Sequence, residues 1–116
     1  MININKLFLF WMIGRRVYNT RDTCSSSIYK YSTFCSYRFG SSNSFSIFNI
    51  KMMQRFYCTF PVFFSRLNVL TWDHYIELLR VNDLSKRYFY FEVALFCRSS
   101  VLDLRTIIDN DIYNFI

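Results

Sequence analysis

The chain has 116 residues, a length that suits one domain with a modest core. Aromatic residues make up 22% of it, against only 2 Gly and 1 Pro, which argues against both a turn-rich all-β sandwich and a disordered chain. The formal net charge of +6 is uneven: residues 1–70 carry nine Lys or Arg and one acid, Asp22, whereas residues 71–116 carry five basic and seven acidic side chains. A basic half favours an anionic partner such as nucleic acid or a membrane surface, with a merely skewed solvated surface as the plain alternative.

The first predicted element is a helix from about Ile4 to Tyr18. Its apolar positions are nearly continuous, so burial on more than one face is expected. The apolar run Leu7 to Ile13 is at the short limit for a signal peptide, and no small-residue cleavage site follows. It also falls far below the ~20 residues that span a bilayer. No integral membrane segment is therefore expected, and a cytoplasmic location is. A surface-lying amphipathic helix over residues 4–18 is the third functional reading.

A second helix is predicted from about Ser26 to Arg38. Ile28, Tyr31, Cys35 and Phe39 draw one stripe at i, i+3, i+7 and i+11. The serine richness of residues 24–46 makes a flexible linker the alternative. Gly40 is the expected C-cap, Ser41–Ser44 the turn, and Ser46 the N-cap of a third helix from Ile47 to about Cys58. Ile50, Met53 and Tyr57 should face inward there, and Pro61 should stop the helix.

Thr71 is the expected cap of a fourth helix, Trp72 to about Val81, with Tyr75, Leu78 and Leu79 on one face. Asp83 should cap a fifth, Leu84 to about Phe96, with Tyr88, Phe89, Phe91, Val93 and Phe96 inward. Ser100 with Asp103 forms a near capping box for a sixth helix that turns Val101, Leu104 and Ile108 inward. The tail from Asp109 either continues that helix or docks as a short extension.

Cys24, Cys35, Cys58 and Cys97 form no C-x-x-C pair, and His74 is the single histidine. Zinc sites need clustered ligands at short spacing, so no metal or other cofactor is expected and the thiols read as reduced.

Two segments carry a specific pattern: F-S-I-F-N-I-K-M-M-Q-R-F-Y-C-T-F-P from Phe45 to Pro61, and L-T-W-D-H-Y-I-E-L-L-R-V-N-D from Leu70 to Asp83. They resemble the N-terminal domain of the YhcG family, whose usual pattern is F-S-x-x-N-L-x-x-M-R-x-F-Y-x-x-F-P followed by L-S-W-[ST]-H-Y-x-x-L-L-R-[IV]-x-D. Leu9, Trp11, Ile13, Gly14, Arg15 and Val17 match that domain's L-x-W-x-I-G-R-x-[IV], so a core helix is the favoured reading of the first element. The resemblance runs from about Leu9 to Phe115 and is weakest between Tyr18 and Arg38.

The resemblance implies one all-α domain over residues 1–116, a compact bundle of about six helices with a helix–turn–helix or winged-helix-like core. The family's C-terminal domain is a PD-(D/E)XK nuclease, which needs a D-x-n-(D/E)-x-K strand to hold Mg²⁺. That pattern is absent here, and the acids fall on predicted helices. The expectation is a non-catalytic module that binds DNA or positions a nuclease on its target, read as a truncated or decaying copy. The alternative is a protein-interaction or oligomerisation module without DNA contact. The implied partners are DNA, a separate nuclease subunit or a second copy.

In a helix–turn–helix the second helix enters the major groove by its first residues. Here these are Ser46, Phe48, Asn49 and Lys51, with Gln54 and Arg55 one turn on. Asn and Gln suit adenine, and Lys and Arg suit guanine or phosphate. Arg15 and Arg16 add positive charge on the first helix. Asn49 could read a base or bond the preceding turn, the second being slightly favoured. The turn is two residues longer than the family's usual one, and Arg55 sits one position late. Further on, Ser99 stands where the family has Trp, and Leu102 where it often has Arg.

The run Trp72, Asp73, His74, Tyr75, Glu77 resembles a catalytic cluster. Neighbours on a helix diverge by about 100°, however, so Asp73 and His74 do not converge on a substrate. A packed, hydrogen-bonded His74 is the expected outcome, with Glu77 one turn away as a candidate partner.

Overall fold

A computed structural model describes residues 5–20, 25–40 and 43–115. The fold is all-α: α1 (Lys6–Asn19), α2 (Ser25–Phe39), α3 (Ile47–Thr59), α4 (Trp72–Leu79), α5 (Leu84–Cys97) and α6 (Val101–Asp109). Short 3-10 turns cover Asn43–Phe45, Ser65–Val69 and Ile112–Phe115, and no strand occurs among the described residues. The expected helix start at Ile4, the turn residues Ser41 and Ser42, and Cys24 lie outside them. The chain divides into two compact units, Met1–Phe63 and Phe64–Ile116.

In the first unit α1 and α3 form the core. Asn5 caps α1 by accepting hydrogen bonds from the Leu7 and Phe8 amides. That sets the register that buries Leu7, Phe10, Trp11, Ile13, Gly14 and Val17. Against them α3 buries Ile50, Met52, Met53 and Phe56. Phe10, Val17, Ile50, Met53 and Phe56 are almost wholly out of water, and each such side chain contributes about 1.5–3 kcal/mol of burial. Trp11 Nε1 donates to the Phe60 carbonyl oxygen at 2.7 Å, which ties α1 to the C-terminal cap of α3. At Gly14 the backbones themselves approach. A Cβ there would lie 2.5 Å from the Met53 carbonyl carbon and closer still to its oxygen.

The serine-rich α2 does form a helix. It ends where the Gly40 amide donates to the Ser36 carbonyl at 3.0 Å, and Gly40 takes φ +112°, which glycine adopts at no steric cost. Ser32 Oγ donates to the Phe45 carbonyl at 2.5 Å and fixes the turn before α3. Of the predicted stripe, Ile28 and Cys35 are buried and Phe39 is 45% exposed. Ser46 caps α3 as expected, accepting from the Asn49 amide at 3.2 Å. Within α3, Ile50 and Met53 face inward as predicted, while Phe56 is more deeply placed than Tyr57.

The second unit centres on α4. Tyr75, Leu78 and Leu79 are fully buried, as their shared face requires, but the helix ends at Leu79 rather than near Val81. Tyr75 Oη donates to the Leu67 carbonyl at 2.6 Å, holding the 3-10 turn that the sequence did not suggest. The Arg87 guanidinium donates to the Val81 carbonyl through Nε at 3.0 Å and a terminal nitrogen at 2.6 Å, closing the loop before α5.

Asp83 caps α5 as expected, but the helix faces inward through Tyr90, Phe91 and Ala94. Of the five predicted positions only Phe91 is buried, and Phe96 is 74% exposed. A helix with aromatic residues on every side carries no period from which a face can be read. Ser100 caps α6 through the Asp103 amide, and Leu104 is its buried residue. The tail docks as a short extension, in which the Tyr113 amide donates to Tyr90 Oη at 3.2 Å.

Candidate nucleic-acid interface

The exposed side of α3 holds the residues that the DNA reading needs. Taking Phe48 as the origin and stepping by about 100° per residue, Lys51, Arg55 and Cys58 fall within one narrow stripe. All four are exposed, Phe48 by 54%. Ile50, Met52, Met53 and Phe56 occupy the opposite arc and are buried. The helix thus presents an aromatic ring and two cations together, anchored from behind by its apolar face.

The remaining candidates separate from that stripe. Ser46 is half-buried, and its hydroxyl is engaged as the N-cap. Asn49 is half-buried and belongs by angle to the buried arc, so it does not line up with Lys51 and Arg55. Gln54 is half-buried at the edge of the stripe. Arg15 and Arg16 are both exposed but diverge, as consecutive helical residues must. The Arg15 guanidinium lies over the Trp11 ring, 5.8 Å from its centroid. Trp11 in turn packs on Tyr57 and Phe63. Arg16 instead reaches the rim of a groove between α1 and α2.

That groove was not read from the sequence. It encloses about 660 Å³ between Leu9, Met12 and Ile13 of α1 and Phe34, Cys35 and Phe39 of α2, with Arg16 and Lys30 on its walls. The apolar spacing of α2 was legible, but a stripe cannot tell a face packed on a neighbour from one left partly open.

The catalytic-looking run in the second unit does not converge. Asp73 is exposed. The Thr71 amide donates to His74 Nδ1 at 3.1 Å, so Nδ1 is the acceptor and Nε2 carries the proton. Nε2 then donates to the Ser99 carbonyl at 2.8 Å. His74 is therefore a buried tie between the start of α4 and the loop before α6, with both ring nitrogens committed. It does not pair with Glu77. That buried carboxylate accepts from Arg105 Nε and a terminal nitrogen, at 3.0 and 2.7 Å, and meets Arg80 at 3.6 Å. The Glu77 carboxylate raises the Arg105 pKa above its ordinary value.

Among the described residues no group of three His, Cys, Asp or Glu side chains could hold a metal ion. Cys35 is buried, which pushes its thiol pKa up, and Cys58 and Cys97 are exposed and form no disulfide. Among the described residues no helix is long and apolar enough to cross a membrane.

No curated protein and no solved structure matches the chain. The family model of the DUF1016 N-terminal domain matches residues 1–114, nearly the whole length. With the motifs of α1, α3 and α4 in place around one all-α core in each unit, the chain belongs to the DUF1016 N-terminal domain family, the N-terminal domain of the YhcG-type nucleases.

Proposed function

We propose that the chain is a DNA-binding module that positions a PD-(D/E)XK nuclease on its target. In this reading α2, the turn through Phe45 and α3 act as a helix–turn–helix, and α3 carries the contact surface. One observation carries it: Phe48, Lys51 and Arg55 share the exposed stripe of a helix whose other side is locked into the core. The charge of the first 70 residues, nine cations against one acid, supports the same partner. Phosphate neutralisation by Lys51 and Arg55 would supply affinity, with Arg15 and Arg16 adding to the field. Phe48 would add an apolar contact at a base edge or sugar.

Binding of a labelled duplex, followed by fluorescence anisotropy from about 25 to about 200 mM salt, tests this reading. The expected behaviour is weakly sequence-dependent binding that falls steeply with salt. Lys51→Ala with Arg55→Ala should lower the salt slope by about 2, one for each lost phosphate contact. Asp103→Ala, an exposed change on α6, should leave binding unweakened. No binding at the lowest salt, or equal losses in both variants, would overturn the assignment of α3.

A further inference from the structure

The groove between α1 and α2 lies apart from the α3 stripe. Its walls are apolar, built from Leu9, Met12 and Ile13 on one side and Phe34 and Phe39 on the other. Met12 is 49% exposed and Phe34 61%. Large apolar side chains left this open on two facing walls mark a surface shaped for a partner rather than a solvated helix face.

Three properties narrow the occupant. The first is shape. The groove is an open trough, so a single acyl chain would keep much of its surface in water, whereas small-molecule sites bury most of their ligand. The second is length. The lining runs from Leu9 to Arg16 along α1 and from Lys30 to Phe39 along α2. At 1.5 Å per residue this is about 10–14 Å, the reach of helical anchors at i, i+4 and i+7. The third is charge. Among the described residues the charged side chains on the groove are Arg16 and Lys30, one from each wall, and no carboxylate lines it. Arg38, stacked over Phe39 at 6.0 Å, adds a cation beside it.

We propose that this groove docks an amphipathic helix of a partner protein, with an apolar stripe against Met12 and Phe34 and carboxylates flanking the stripe on both sides. Arg16 of α1 and Lys30 of α2 would pair with those carboxylates and set the register of the helix. The apolar walls supply most of the affinity, and the two cations supply selectivity, as charges at an interface rim do. No residue of α3 lines the groove, so the site is distinct from the α3 stripe, although Arg16 also adds to the field around that stripe.

The probes are two synthetic amphipathic peptides with Leu at i, i+4 and i+7, one with Glu flanking the stripe and one with Lys. Anisotropy of the labelled peptides against the full chain should show the Glu peptide binding about tenfold more tightly than the Lys peptide. Arg16→Glu with Lys30→Glu should reverse that preference. Met12→Ser with Phe34→Ser should abolish binding of the Glu peptide while the thermal midpoint stays near that of the parent, because both side chains are exposed. Equal affinity for the two peptides, or binding indifferent to the serine pair, would overturn the proposal. So would a dimer in sedimentation that the serine pair dissolves, since the occupant would then be a second copy. Tighter binding of decanoate than of the Glu peptide would make the groove a lipid site. Competition by duplex DNA for the labelled peptide would make it part of the nucleic-acid surface. Either result would also refute the proposal.

Discussion

Gly14→Ala sets two effects against each other with opposite signs. Gly14 lies inside α1, where glycine is less favourable than alanine by about 0.5–1 kcal/mol. Helix propensity alone therefore predicts a more stable protein. The crossing with α3 predicts the reverse. The new Cβ would lie 2.5 Å from the Met53 carbonyl carbon and 3.1 Å from the Gln54 amide nitrogen. The Met53 carbonyl oxygen would be closer still, and ordinary contact begins at 3.4 Å, so the helices would have to part by more than an ångström. The obstacle is backbone, and no rotamer change of Met53 can relieve it. Overpacking a close-packed core costs about 1–3 kcal/mol and occasionally more. A backbone collision belongs at the upper end, and separation would also loosen the contacts of Val17, Ile50 and Met53. The net expectation is a loss of about 2 kcal/mol. The assay is the urea midpoint at unchanged slope. A midpoint equal to or above that of the parent would mean that propensity wins, and the close approach of α1 to α3 would be refuted.

Tyr75→Phe should cost about 1–3 kcal/mol by removing the phenol hydrogen bond to the buried Leu67 carbonyl. Burial also holds the Tyr75 pKa above its ordinary value. Because the folded pKa is the higher one, this stability is present in full below about pH 10 and is lost as pH rises above it. The urea midpoint of the parent should therefore fall more steeply in that range than that of Tyr75→Phe, and parallel curves would argue against a buried phenol. Leu102→Lys should change stability by less than about 0.5 kcal/mol, because Leu102 is 67% exposed on α6. A loss of more than about 1 kcal/mol in a thermal melt would place that side chain in an interface instead.

Much of the architecture was legible because it rests on local chemistry. Ser46, Thr71, Asp83 and Ser100 were all readable as caps, since a short oxygen-bearing side chain before an apolar run can satisfy free helical amides whatever the tertiary setting. Gly40 marked the end of α2 for an equally local reason. The motifs of Phe45–Pro61 and Leu70–Asp83 carried the family before any fold was known, and the skew of charge pointed to the basic half. Tertiary structure alone decided which face of α5 turned inward. Aromatic residues lie all around that helix, and only packing against its neighbours selected Tyr90, Phe91 and Ala94. It also set α2 beside α1 so that Arg16 ends at the rim of a groove between them. His74 and Glu77, one turn apart in sequence, found partners 25 and 28 residues away. A sequence states which side chains can bond and pack. Which of them meet depends on how helices distant in the chain approach one another, and that is settled by the packing of whole surfaces.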